Sequence, residues 1–443
     1  MDTSWVRREF ADITLRDQRQ RPSLLAIAER LSQHPEWSFS ANCGPALRKA
    51  GWRLFSQPDV ELQTAHRQAS LERADACPRI LVVQDTTDLN YNTHAQTQGL
   101  GILGGPDIAG LSMHSALLLN GQGVPLGLLG QRIWAPSAQG RPLPNYRYPL
   151  AEKESHRWVE VLTWVNQYLA HHPDVTVVAD READFYEYLA WPRPANTSLL
   201  VRVQHLHRGV DWHGHRMPLE AVPFFLRGQR RVEIPRQSGQ SAQTVDLSVD
   251  VQPLTCPPAE RRTGSAIAVW VVRAWEVAPA SKQEAIDWYL LSTKPIHTLE
   301  QAYEQLDTYC LRWRIERFHY VLKQGLRVER LQFDHFTRLS KALQVYSVVA
   351  WHLLYLTHQV RHTPQEPALE HLSEQQVTLL ETLTGRQVRT LQQVVLSIAG
   401  LAGFCPTKKQ PLPGEKLLWR GLATFHQLYQ GWNLAREQIY GTG

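Results

Sequence analysis

Four residues, Tyr309, Arg312, Glu316 and Lys323, combine side-chain types and a spacing that suit work on a phosphate. They lie in the segment TYCLRWRIERFHYVLKQG, three, four and seven positions apart. Residues so spaced share one face of an α-helix, and the segment has no proline and no glycine before Gly325, so it is predicted to be helical from Tyr309 to Lys323. One stripe would then carry a phenol, a guanidinium, a carboxylate and an ammonium, while Leu311, Ile315, Phe318 and Leu322 face a core. A single carboxylate among cations suits a metal ligand set beside anion-binding groups. The competing reading is a solvated, salt-bridged helix face.

Two distant aspartates bear on that choice. After Pro78 and Arg79 the run Ile80–Val83 is apolar and leads through Gln84 to Asp85, which reads as a buried strand ending in a carboxylate. Val175–Ala179 is a second apolar strand ending at Asp180, after which Arg181, Glu182, Ala183 and Asp184 enter a helix. Between them lie a hairpin, with SALLLN (115–120) and LGLLGQRIW (126–134) flanking Asn120-Gly121-Gln122-Gly123, a Pro/Gly/Ser-rich loop at 135–149, and an amphipathic helix at 151–172. In mixed α/β sheets, sites collect at the carboxyl ends of strands. An aspartate there also serves as a turn or cap residue, so each alone is weak, and the pair with this topology between them is stronger.

Strand with Asp85, hairpin, helix, strand with Asp180, insertion and helix with Glu316 is the layout of a ribonuclease-H-like core, so the expected fold class is α/β. Three carboxylates in such a core suit Mg²⁺, with Mn²⁺ able to substitute, as a pair of ions that clamps the attacking and leaving oxygens of an in-line phosphoryl displacement.

The rest of the chain divides around this core. Residues 1–76 read as a helical, arginine-frequent domain, suited to DNA binding or to capping a larger domain. The core takes 77–197 and 286–360, and 198–285 reads as a β-rich insertion in which Arg202, Arg208, Arg216, Arg227, Arg230, Arg231 and Arg236 offer a basic face. Its histidines His205, His207, His213 and His215 fit a basic loop better than a metal site. Residues 361–443 read as a helical region suited to self-association. The helix ALQVYSVVAWHLLYLTHQV is strongly apolar, yet Gln344, His352, His358 and Gln359 interrupt or flank it, so it is expected in the core and not in a membrane.

At 443 residues the chain is long enough for two or three domains, and 43% apolar with 20% charged residues is a globular balance. A net charge of +5 permits a nucleic-acid partner without demanding one. The five cysteines are odd in number, far apart and without a CxxC pair, which fits a reducing compartment. MDTSWVRREF lacks the apolar run of a signal peptide, so a cytoplasmic location is expected.

Tyr309, Arg312, Glu316 and Lys323 also fit, without a gap, the spacing Tyr, two residues, Arg, three, Glu, six, Lys. Together with QDTT at 84–87, EKES at 152–155, DREAD at 180–184 and GFCPTKK at 403–409, the chain resembles the bacterial insertion-sequence DDE transposases that carry the Y-R-E-K signature. The resemblance covers almost the whole chain, and the signature combined with DREAD is its most specific part. It implies that Asp85, Asp180 and Glu316 hold the metals, and that Tyr309, Arg312 and Lys323 grip phosphates near the cleaved end. It also implies a DNA hairpin on the excision route, with a flipped base for which Trp288 is a stacking candidate, as is Trp313. Core packing is the alternative for both tryptophans. Arg181 is placed to orient Asp180 or touch phosphate. The implied partners are double-stranded DNA, as transposon ends and target, and a second copy of the chain. A metal-dependent nuclease that cuts without joining, a domesticated DNA-binding derivative and a glycoside hydrolase using paired carboxylates are the competing functions.

Overall fold

The computed structural model describes residues 4–10, 12–94, 96–104, 108–137, 147–234, 243–258, 264–277 and 285–440. Most of the loop expected at 135–149, and Arg236, lie outside the described residues.

The chain opens with five helices: α1 (Ser4–Phe10), α2 (Arg21–Gln33), α3 (Phe39–Asn42), α4 (Pro45–Phe55) and α5 (Thr64–Asp75). Prolines at the first turns of α2 and α4 sit where a helix has no use for the missing amide hydrogen. Leu24, Ile27, Leu31, Leu54 and Phe55 are buried, and they join the same hydrophobic core as the sheet.

Among the described residues, twelve strands form one mixed sheet. The first are β1 (Ile80–Asn90), β2 (Gly101–Ile102), β3 (Ala109–Asn120), β4 (Pro125–Trp134), β5 (Val175–Ala179) and β6 (Thr197–Arg202). Across the sheet the order is β4, β3, β1, β5, β6. β3 runs antiparallel to both β1 and β4, while β1, β5 and β6 are parallel. The connection from β4 to β5 passes through α6 (His156–Tyr168), and α7 (Tyr186–Leu189) follows β5.

The β-rich stretch is not a separate sheet. Its first strand, β6, pairs with β5, and β7 (Gly209–Trp212), β8 (His215–Pro218), β9 (Gly228–Ile234), β10 (Gln243–Cys256), β11 (Ile267–Trp275) and β12 (Asp287–Ser292) continue outward from β6 through β12. His213 and Gly214 turn the β7–β8 hairpin with positive φ, the geometry that tight hairpins need.

The helices after the sheet are α8 (Leu299–Cys310), α9 (Trp313–Tyr320), α10 (Phe336–His362), α11 (Glu374–Thr384), α12 (Leu391–Gly400) and α13 (Glu415–Tyr440). Among the described residues no helix is long and apolar enough to cross a membrane. α10 instead buries residues around its whole circumference, as expected of a central core helix.

Strand alternation sorts the sheet's two faces. Leu81 and Val83 join the core shared with α9, α10 and the N-terminal helices; Ile80 and Val82 join a second core with Trp158, Val161, Leu162 and Val165 of α6. By the same alternation Asp85 belongs to the α9 face, and Gln84 and Thr86 to the α6 face.

Two local expectations are corrected. β1 does not end at Asp85 but continues to Asn90, because β3 goes on pairing with it after the parallel pairing to β5 stops at Val83. Asp85 therefore lies where the sheet splits. The predicted single helix is also broken: α8 ends at Cys310, α9 starts at Trp313, and Lys323 falls in a π-helical turn at Val321–Gly325. Leu311 and Arg312 keep right-handed helical dihedrals, so the break is a tightening, marked by bonds from the Arg312 and Arg314 amides to the carbonyls three residues back.

Candidate active site

Asp85 is held by its own strand. The Thr86 amide donates to its Oδ1 at 2.9 Å. Asp180 is held in the same way one strand over: it caps the short 3₁₀ turn Arg181–Ala183, and the Glu182 amide donates to its Oδ1 at 2.9 Å. Each aspartate thus has one oxygen fixed by backbone.

The third carboxylate comes from α9, which packs on β1. Arg312 lies between the carboxylates. Its Nη2 donates to Glu316 Oε1 at 2.7 Å, and its Nη1 stands 3.8 Å from Asp85 Oδ2. The Arg312 side chain is only 8% exposed, which decides against a solvated charged face. Burial works against its charge, but Tyr309, Glu316 and Asp85 outweigh that and keep the guanidinium ionised. The other arginines of α9 face elsewhere: Arg314 donates to the Gly123 carbonyl at the β3–β4 turn, and Arg317 pairs with Glu415 at the start of α13.

Burial pushes the Asp85 carboxyl up to about 7. The charges of Asp180 and Glu316 add to the rise, and Arg312 and the Thr86 amide oppose it. Arg312 thus joins Asp85 to Glu316, while Asp180 stands at the end of the neighbouring strand. Among the described residues no three carboxylate, imidazole or thiol groups stand close enough, as placed, to grip one ion, and Glu316 is turned to Arg312. The donor set still fits a hard divalent cation. It is all oxygen, and its half-buried Asp85 carboxylate has its ionised form opposed by desolvation and two like charges and favoured by Arg312, so a further cation would be welcome there.

Tyr309 is buried against Trp288, ring edge to ring face at 5.5 Å, and burial pushes its hydroxyl pKa up. Trp288 is itself only 6% exposed, with the Arg202 guanidinium 5.9 Å over its ring. Trp313 is half-buried beside Arg312, 5.3 Å from the guanidinium carbon, and Arg181 is exposed. Lys323 stands apart, 3.8 Å from Glu329, whose carboxylate also accepts from the amide of Asn90 at the end of β1. Asp184 does not face the carboxylates. It is buried, receives the amides of Gln204 and His205, and pairs with Arg208, so it ties the start of the β-rich stretch to the turn after β5.

Sequence reasoning passed over a polar chain on the opposite face of β1. Arg157 donates to the Thr86 hydroxyl, which contacts His114; His114 contacts Gln84, and Gln84 donates to Tyr188. Gln84 and Thr86 belong to QDTT, Arg157 follows EKES, and Glu182, the other partner of Arg157, belongs to DREAD. The signal lay in those motifs, in the residues flanking the charged ones.

Against known families, residues 2–60 match the family model described as transposase DNA-binding. The match covers the helical N-terminal segment, and it supports a transposase that binds DNA.

Proposed function

We propose that the chain is a cut-and-paste DNA transposase of the DDE type that binds transposon inverted-repeat ends, cleaves them and joins the 3′ ends to target DNA. The observation that carries this reading is that the buried Arg312 joins Glu316 of α9 to the half-buried Asp85, with Asp180 at the end of the neighbouring strand, in a chain whose first residues match a transposase DNA-binding family. The strand order β4, β3, β1, β5, β6, with antiparallel pairing on one side of β1 and parallel on the other, supports a ribonuclease-H-like core.

In this reading residues 1–76 bind DNA, 77–197 and 286–360 carry the chemistry, 198–285 add phosphate contacts, and 361–443 pair two copies in a synaptic complex. Asp85, Asp180 and Glu316 would hold two Mg²⁺ ions, or Mn²⁺ in their place, which when bound supply Lewis-acid stabilisation of phosphoryl transfer. The protein's own groups do the positioning. The Thr86 and Glu182 amides fix one oxygen of each aspartate, which leaves the other oxygens for the site. Arg312 balances the carboxylates before DNA arrives, and its fork of donors suits a phosphate as well as a carboxylate. Tyr309 and Lys323 add a donor and a point charge. If excision runs through a hairpin, a base stacking on Trp288 displaces Arg202 from its face.

The test is a cleavage and joining assay on DNA carrying the repeats that flank the coding sequence. The transposase reading expects Mg²⁺-dependent cutting followed by strand transfer. Cutting without strand transfer would instead identify a nuclease.

A further inference from the structure

Asp85 and Asp180 lie on different strands, β1 and the turn after β5, whose mutual pairing stops at Val83 and Val178. No backbone hydrogen bond of that ladder reaches either carboxylate. Something else must keep the two at a working separation, and one side chain spans the gap on the face opposite α9.

That side chain is Arg157, the second residue of α6. Its Nε donates to Thr86 Oγ1 at 2.9 Å, its Nη2 to Glu182 Oε2 at 2.7 Å, and its Nη1 to the Glu154 carbonyl at 2.8 Å. Thr86 and Glu182 are the two residues whose amides pin Asp85 and Asp180. One guanidinium therefore ties together both clamps, through two residues that touch neither DNA nor metal in the proposed reaction. The Arg157 side chain is 13% exposed while that of Glu182 is 55% exposed, so the strut is anchored inside and reaches its second partner near the surface.

The anchor is rigid because of what lies beneath it. Gln84 Nε2 donates to the Tyr188 hydroxyl at 2.7 Å, which leaves Gln84 Oε1 to accept from His114 Nε2 at 3.1 Å. His114 Nδ1 is then an acceptor, and the Thr86 hydroxyl donates to it at 2.9 Å while accepting from Arg157. Every member has a partner and the chain runs in one direction. His114 is fully buried and meets the edge of Trp158 at 4.7 Å, so Thr86 cannot rotate freely. A buried, satisfied network of this kind is stiff.

We propose that Arg157 is a positioning residue that sets the spacing of Asp85 and Asp180 by bridging Thr86 and Glu182, and so tunes the affinity of the carboxylate site for divalent cations. The proposal rests on the metal-binding reading of that site and adds the residue that shapes it. Charge alone predicts the opposite sign. Arg157 is a cation near a cation site, so neutralising it should tighten metal binding through Coulomb's law. A strut predicts that its loss loosens binding, because groups that orient metal ligands cost about 10–100-fold in affinity when removed.

The experiment measures Mn²⁺ binding to the full-length protein without DNA, by the loss of the free Mn²⁺ EPR signal, well below the melting temperature recorded for each variant. Arg157→Gln and Thr86→Val, the second uncharged and nearly isosteric, are each expected to weaken Mn²⁺ binding about 10–100-fold. Unchanged or tighter binding in both, with Asp85→Asn still losing affinity, would overturn the strut and leave the carboxylate site standing. If Asp85→Asn binds Mn²⁺ as well as the wild type, the carboxylate site falls, and the strut with it. Should Arg157→Gln fail to fold, Thr86→Val alone decides, since it keeps every charge and the amide that pins Asp85.

Discussion

Nη1 of Arg312 stands 3.8 Å from Oδ2 of Asp85, with the arginine side chain almost wholly out of solvent. An internal cation therefore sits beside a half-buried member of the three proposed metal ligands. Without divalent ions, Arg312→Ala leaves Asp85 and Glu316 facing each other uncompensated. A hydrogen bond to a charged group is worth about 1.5–3 kcal/mol, and that loss of unfolding free energy is expected in urea titrations. Added Mg²⁺ should recover part of it, since the ions take over the neutralising role. An equal loss with and without Mg²⁺ would separate Arg312 from the metal site.

The turn between β3 and β4 supports the break between α8 and α9. Gly123 has φ +82°, and a Cβ added there would lie 2.6 Å from Leu311 Cδ2. Its carbonyl also accepts from Arg314. Gly123→Ala combines backbone strain with a clash at the residue before Arg312. A loss of about 1–3 kcal/mol is expected from the strain, read by denaturant unfolding, with DNA cleavage falling alongside.

Acid should unfold the protein in two steps of charge. Glu9 is buried between α1 and α5, where Arg73 grips both its oxygens and His66 Nδ1 donates to it. Burial raises its pKa, but His66 and Arg73 prevail and hold it at about 2. His66 itself is kept neutral by burial, with Nε2 accepting from the Leu128 amide, and burial likewise depresses His114. The unfolded chain takes up protons on these histidines below their ordinary value near 6.5 while the folded chain does not, so stability drops as pH falls through that value. Glu9 adds stability in full above its ordinary value of 4.5 and loses it as pH falls from there towards 2. Melting temperature against pH should show both slopes, and Glu9→Gln should flatten only the lower one.

DNA affinity should carry the mark of phosphate contacts. Lys323, half-buried and only loosely paired with Glu329, is free to turn to a phosphate. Lys323→Ala should lower end binding and reduce the slope of log affinity against log salt by roughly 1, as one lost phosphate contact does. An unchanged slope would make Lys323 a partner of Glu329 alone.

The grouping of Tyr309, Arg312 and Glu316 was legible because it is written in spacing. Tyr309, Arg312 and Glu316 stay on one side of the chain even though the helix breaks, since Leu311 and Arg312 keep helical dihedrals and the break needs no glycine or proline to announce it. Asp180 was readable from the apolar run that ends at it. The extension of β1 past Asp85 was not, because Thr86–Asn90 is paired on one side only and its sequence is mostly polar, so tertiary pairing with β3 decides it. The Arg157 bridge was invisible for another reason: nothing in a linear sequence distinguishes an arginine that bridges two motifs from one on a solvated helix face.

The central claim is that Asp85, Asp180 and Glu316 act as one metal-dependent DNA-cleaving site. It is tested most directly by giving wild type, Asp85→Asn, Asp180→Asn and Glu316→Gln the same inverted-repeat end DNA with Mg²⁺ and a target plasmid. Wild type should cut the ends and join them to the plasmid, while each variant binds the ends with near wild-type affinity and yields no cut product. Normal cutting by Glu316→Gln, or by either aspartate variant, would contradict the account.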